Sequence, residues 1–342
     1  MRFTKYNSMK DILAYPQMRE YLHVFYSEYL FEMYPEETYH FPIARVEQIA
    51  KTPWEEPFSI IADQLMDAVN LVLDLKENHT RRALSLWNQE KDADSKNQFA
   101  EWTLEKNARG GKDAVALITP EYRRQEKEKK IRPAVIICPG GGYEEVCFSG
   151  EGTPIMNFME ANGYVAFMLK YRVGRDGVYP APQEDLAKAI RYVREHAEEY
   201  GLDPENVMVL GGSAGGHLCA SEAMFYERPD KITLCYPVIS LEKEAHEGSA
   251  KALTGGKKEL RTALSVEHLV RENYPPTFLW TCADDDCVPP SNTVRMGEAL
   301  ERAGVLHEMH VYPSGGHGCA LAFSKSACDW SQEMLRFFER IK

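Results

Sequence analysis

The run Gly211-Gly212-Ser213-Ala214-Gly215-Gly216-His217 constrains this chain more than any other, because of what surrounds it. Val207-Met208-Val209-Leu210 before it is short, apolar and partly β-branched, and reads as a buried strand. Leu218, Ala220 and Ala223 after it begin a helical pattern. A serine at such a strand–turn–helix junction is pushed out at the strand's C-terminal end. The Ala214 N–H then sits at a helix N-terminus, facing any negative charge that develops there. Glycine is needed at 211 and 215, since a Cβ there would collide with the neighbouring strand or helix.

Strand-like and helix-like segments alternate on both sides of this junction. Residues 134–138, 165–171, 232–236, 277–281 and 307–312 read as strands, and 153–162, 183–200, 291–303 and 329–341 as helices. The last helix carries Trp330, Met334, Phe337, Phe338 and Ile341 on one face. Such alternation predicts an α/β fold, a mostly parallel sheet covered by helices on both faces, with ligands at the strands' C-terminal ends. Residues 83–87 and 114–119 predict an opening antiparallel hairpin, and the charged run 121–132 a solvated loop. The charged segment 241–271 interrupts the alternation and predicts a cap over the site.

The division is therefore residues 1–80 as a helical N-terminal region and 81–342 as the catalytic α/β domain, with the insertion 241–271. In the first region Met18, Leu22 and Phe25 share one helical face, as do Ile61, Leu65, Ala68 and Val72. Tyr21, Tyr26, Tyr29, Phe31 and Tyr34 add aromatic bulk, and Pro42, Pro53 and Pro57 break the helices. Short helices cannot bury these faces alone, so they must dock on the α/β domain or on a second copy, and a homodimer is expected.

A serine hydroxyl needs an adjacent general base, and the base an orienting acid. On a parallel sheet these come from loops after later strands, in the order Ser, Asp, His. The segment Cys282-Ala283-Asp284-Asp285-Asp286-Cys287-Val288-Pro289 follows one strand, and Pro313-Ser314-Gly315-Gly316-His317-Gly318 follows the next. His317 is the expected base, because its glycines let the loop bring the ring to Ser213. His310 lies within a strand and His217 on the helix after the serine, and both read as structural. Successive side chains of an extended segment point opposite ways, so one of the three consecutive aspartates should reach the histidine. The others read as solvated or as turn formers. Pro139-Gly140-Gly141-Gly142-Tyr143 after an earlier strand supplies backbone N–H groups for an oxyanion. The glycine spacings match neither a P-loop nor a dinucleotide fingerprint, so no nucleotide or other cofactor is expected.

A formal net charge of −12 argues against nucleic acid or an anionic membrane as partner. With 44% hydrophobic and 27% charged residues the chain reads as an ordinary globular protein, and no run is long enough to span a bilayer. Its eight cysteines lack C-x-x-C pairing, so no metal site is expected and free thiols in a reducing compartment are. No apolar export segment opens the chain, and the expectation is a cytoplasmic protein.

Taken together, these stretches resemble the esterase/lipase branch of the α/β-hydrolases, above all bacterial acetyl xylan esterases and feruloyl-esterase-like enzymes. The likeness is carried by Pro139-Gly140-Gly141-Gly142-Tyr143, Tyr171-Arg172-Val173, Pro180-Ala181-Pro182 and Gly212-Ser213-Ala214-Gly215-Gly216-His217. It continues through Gly248-Ser249, Val288-Pro289-Pro290 with Asn292, and Gly315-Gly316-His317-Gly318. The resemblance implies the α/β-hydrolase fold and a triad of Ser213, Asp285 and His317, with Asp285 identified by its distance from Val288-Pro289. It implies oxyanion donors at Gly141, Gly142 and Ala214, and Tyr143 beside them as a substrate contact. Where the family often carries Arg-Glu-Gly, this chain has Gly150-Glu151-Gly152. The expected activity is hydrolysis of small acyl esters, acetyl first, on imported oligosaccharides. Peptide or formamide cleavage runs through the same acyl-enzyme and is the alternative. A non-catalytic ligand-binding hydrolase fold is the alternative of another kind, and its mark would be a missing triad member.

Overall fold

Eight strands pair in the order β1-β2-β4-β3-β5-β6-β7-β8 in a computed structural model that describes residues 2–25, 34–46, 58–78, 80–87, 111–120, 131–323 and 325–341. They are β1 (Arg81–Ser85), β2 (Ala116–Pro120), β3 (Arg132–Cys138), β4 (Val165–Lys170), β5 (Leu202–Gly212), β6 (Lys231–Cys235), β7 (Thr277–Cys282) and β8 (His307–Tyr312). The hairpin β1–β2 and the β2–β4 pair are antiparallel, and every other pairing is parallel. Helices pack around this sheet, which is why the inner residues of β3 to β7 are apolar and buried. This is the α/β-hydrolase architecture, and it brings the loops after β3, β5, β7 and β8 to one edge of the sheet.

The elements differ from the sequence pattern in three places. The helix expected over 183–200 starts earlier, with proline in its first turn, and breaks at His196 into Ala181–Glu195 and Ala197–Tyr200. Strand β5 begins five residues before its apolar run, and its register against β3 shifts between Arg132 and Ala134. The edge strand β8 is half-exposed, with Met309 and Val311 facing out.

The N-terminal helices lie on the catalytic domain. The long helix Phe58–Lys76 packs against β1 and the helix Thr153–Ala161, burying Leu65, Ala68, Val69 and Val72 completely. Asn157 donates its amide to Asp67 at 2.9 Å, and Arg2 pairs with Asp74 at 3.0 Å. Met18, Tyr21, Leu22 and Tyr34 join the same hydrophobic cluster as the sheet. Residues 121–130, the side chains of Phe25 and Ile61, and Tyr26, Tyr29, Phe31, Pro53 and Pro57 lie outside the described residues. Among the described residues no helix is long and apolar enough to cross a membrane.

Candidate active site

Strand β5 ends at Gly212 and the helix Ser213–Glu222 begins at once, which forces Ser213 to φ +52°. A serine held in that left-handed region is strained, and the packing around the turn maintains it. A Cβ on Gly215 would strike the carbonyl of Cys138, and one on Gly211 the backbone of Gly215. The hydroxyl is thereby aimed at the histidine loop. His317 Nε2 lies 2.8 Å from Ser213 Oγ, and its Nδ1 lies 2.7 Å from Asp285 Oδ2.

The consecutive aspartates have separate tasks. Asp285 is fully buried at its side chain, and its second oxygen accepts the N–H groups of Cys287 (3.0 Å) and Val288 (2.9 Å). The turn thus fixes the carboxylate that holds the imidazole. Asp284, expected to be solvated or a turn former, is exposed and also accepts the N–H groups of Gly315 and Gly316, both at 2.9 Å. Those two donors, Gly316 foremost, hold its carboxyl below the usual carboxylate range. It clamps the loop that carries His317, while Asp286 points to solvent. The ring of Tyr236 packs edge-on against His317 with centroids 5.0 Å apart.

The oxyanion loop follows β3. Gly140 gives its N–H to Glu151 Oε2 at 2.5 Å, so the loop's candidate donors are Gly141 and Gly142. Both take positive φ, +123° and +66°, and a Cβ on Gly141 would run into the backbone of Glu145. Ala214 is the second residue of the helix Ser213–Glu222, where the helical ladder leaves an N–H unspent.

Tyr143 does not sit where a substrate contact was expected. It is fully buried, and its hydroxyl lies 2.9 Å from His217 Nδ1. The physical reason is its φ of +63°, which turns the side chain beneath the loop instead of over it. His217 Nε2 lies 2.9 Å from the carbonyl of Leu264, which can only accept, so that nitrogen carries the proton. Nδ1 then accepts the tyrosine hydrogen, and the neutral ring links the oxyanion loop to the insertion. Burial lowers the His217 pKa to about 4, in keeping with a neutral ring.

Two residues near the site were given no role from the sequence, although Glu151 lies in the Gly150-Glu151-Gly152 stretch compared with the family. His246 stands at the start of the insertion helix Glu247–Thr254, and its Nδ1 accepts the Ser249 N–H at 3.2 Å. A Cβ at Gly142 would lie 3.8 Å from its Cε1, so the insertion covers the oxyanion loop directly. Burial, and then the charge of His317, lower its pKa. Glu151 lies buried beneath the loop, and burial raises its carboxyl above the usual range. Proximity to residues distant in sequence created both features, and no local spacing reports it.

The eight cysteines are all unbridged, with Cys138, Cys219, Cys235 and Cys282 buried. Among the described residues no group of three or more His, Cys, Asp or Glu is arranged to hold a metal ion.

Comparison with known proteins adds a family to this geometry. The profile of the family described as BD-FAE matches residues 121–300, more than half of the chain. The chain is 32% identical over 219 residues to endo-1,4-beta-xylanase B of Butyrivibrio fibrisolvens, covering 58% of this chain and 34% of that protein. It is 33% identical over 195 residues to an acetylxylan esterase of Xylanibacter ruminicola, covering 54% and 40%. It thus spans well under half the length of these two relatives. Among solved structures, an acetyl ester-xyloside bifunctional hydrolase from Caldicellulosiruptor lactoaceticus superposes with a TM-score of 0.61 at 37% identity, over 66% of this chain and 88% of that one. A carboxylesterase from Lactobacillus plantarum superposes at 0.57 with 26% identity, over 66% and 91%.

Proposed function

The chain belongs to the BD-FAE family, and from that premise we propose that it is a serine esterase that removes small acyl groups, acetyl above all, from O-acetylated oligosaccharides. One observation carries the reaction type: His317 bridges Ser213 and Asp285 at 2.8 and 2.7 Å. With all three triad members in hydrogen-bond contact, the arrangement favours catalysis over a non-catalytic use of the fold. The substrate class is supported by the relatives, which include an acetylxylan esterase and an acetyl ester-xyloside hydrolase.

In this reading His317 Nε2 takes the Ser213 proton as Oγ attacks the ester carbonyl. Asp285, fixed by the N–H groups of Cys287 and Val288, holds the imidazole in the required tautomer and stabilises its cation. The N–H groups of Ala214, Gly141 and Gly142 receive the oxyanion, and those donors are set before reaction begins. His317 returns the proton to the departing sugar hydroxyl. Water then repeats the sequence on the acyl-enzyme and frees acetate. The insertion, standing over Gly142 through His246 and Ser249, limits the room for the acyl and alcohol groups.

The test is a series of p-nitrophenyl esters from acetate to octanoate, run beside acetylated xylo- and manno-oligosaccharides. Acetate should be turned over fastest, with a steep fall by octanoate and release of acetate from the oligosaccharides. A preference for long chains would reject the oligosaccharide reading.

A further inference from the structure

We infer that Glu151 is a second active-site carboxylate, a positioning residue that holds the oxyanion loop and supports His317 with negative charge while its ring carries the serine proton. The inference rests on the esterase reading and adds to it a residue outside the triad.

The placement of Glu151 is unusual for a carboxylate. It is 6% exposed, at the end of the turn Phe148–Gly152 that leads into the helix Thr153–Ala161. Its Oε2 takes the Gly140 N–H at 2.5 Å. A Cβ on Gly212, the residue before the nucleophile, would lie 2.9 Å from that same oxygen. A Cβ on Gly318, the residue after the base, would lie 3.7 Å from Oε1. The carboxyl group is therefore wedged between the serine turn, the oxyanion loop and the histidine loop, and glycine at 212 keeps room for it.

Its neighbours favour the ionised form. The Tyr236 hydroxyl oxygen accepts the Ala320 N–H at 3.0 Å, which leaves the phenol hydrogen free to turn toward Glu151, whose ionised form it favours. Burial opposes ionisation, while His317, Gly140 and Tyr236 favour it, in that order. Gly140 bonds Glu151 and Ala320 bonds the neighbouring Tyr236, so this cluster lies between the loop that supplies oxyanion donors and the loop that supplies the base.

The electrostatic part follows from which groups surround the imidazole. Asp285 faces it from the loop after β7, and Asp284 accepts backbone N–H groups of the loop that carries His317. His246 faces it from the insertion, and its influence opposes a positive ring. Lys325 lies farther along the histidine loop, near Asp284 and Cys282. On the side of Glu151 burial raises the thiols of Cys147 and Cys235 and the phenols of Tyr171 and Tyr236, and Glu145 stands beyond Cys147, so Glu151 is the carboxyl there placed to offset charge on the ring. When Ser213 gives its proton to Nε2, Asp285 offsets the new cation on one side and Glu151 on the other, in surroundings poor in water. Glu151 itself exchanges no proton, and the serine proton leaves with the alcohol.

The experiment measures, across pH, both p-nitrophenyl acetate turnover and the rate at which a fluorophosphonate labels Ser213. Labelling needs the nucleophile and its base but no particular ester. Glu151→Gln should move the acid limb of both profiles to lower pH, because the cationic ring loses support, and should lower the plateau on the order of tenfold. Glu151→Asp, with its charge drawn back by one methylene, should move the limb the same way but less. Tyr236→Phe, which removes the hydroxyl bonded to Ala320 but keeps the carboxyl group and the ring against His317, should lower Tm and move the limb less than Glu151→Gln does. An unmoved limb in a folded Glu151→Gln protein would overturn the inference. Should that variant fail to fold, an unmoved limb in Glu151→Asp does the same. A wild-type protein that is labelled but hydrolyses no ester would refute the esterase reading and leave the Glu151 result to stand on labelling alone.

Discussion

The Tyr143 hydroxyl donates to His217 Nδ1 across 2.9 Å, and the opposite face of that imidazole donates to the Leu264 carbonyl. One neutral ring thereby holds the oxyanion loop, the helix after the nucleophile and the insertion together. Tyr143→Phe should cost about 1–2 kcal/mol, because Nδ1 is left buried without a donor. The ring's pKa is about 4 when folded against an ordinary 6.5, so the unfolded chain takes up a proton first as pH falls. Stability should therefore drop between pH 6.5 and 4 by about 3 kcal/mol from this residue. In urea unfolding, the stability difference between the wild-type protein and His217→Gln should shrink across that window. A difference that stays constant with pH would mean the ring is not buried neutral.

The aspartates of the loop after β7 should rank by what they hold. Asp285→Asn should lower kcat on the order of 10⁴, since the imidazole loses its oriented tautomer. Asp284→Asn removes a charged acceptor from two backbone N–H groups of the histidine loop, and about a tenfold loss is expected. Asp286→Asn, exposed to solvent, should stay close to wild type. Equal losses at 284 and 286 would remove the clamp from the account.

Glu222 gives a pH effect of opposite sign. One carboxylate oxygen accepts the Glu227 N–H at 2.8 Å, while the other is buried without a partner. Burial raises its pKa to about 8 from 4.5, so the folded chain keeps a proton that the unfolded chain releases. Its favourable contribution is complete below pH 4.5 and fades as pH climbs through about 8. Glu222→Gln should thus gain stability over the wild-type protein as pH rises across that interval, by several kcal/mol at most. Parallel pH–stability curves for the two proteins would show that this carboxyl is hydrated.

Much of the site could be read from the chain, for reasons that differ by residue. Glycines on both sides of Ser213 and before His317 mark places where backbone comes close, and local spacing alone reveals such places. Three successive aspartates offered no local criterion, and only the family likeness singled out Asp285. The mostly parallel direction of the strands followed from alternation, while the start of β5 did not, because its first residues pair without an apolar pattern. Tyr143 was misjudged because a left-handed φ reverses the side on which a side chain emerges, and the sequence carries no sign of φ at a non-glycine residue. Glu151 and His246 escaped for another reason. Their positions depend on contacts between segments far apart in the chain, and a single carboxylate or imidazole in sequence has no period to betray it.

The central claim is that Ser213, driven by His317, cleaves small acyl esters. Its most direct measurement is the mass of the intact protein after exposure to a fluorophosphonate, beside acetyl ester turnover, for the wild-type chain and Ser213→Ala. One adduct is expected on the wild-type protein, at Ser213, and none on the variant, with kcat lowered by a factor on the order of 10⁶. An adduct that survives in Ser213→Ala, or ester turnover that is indifferent to the substitution, would contradict it.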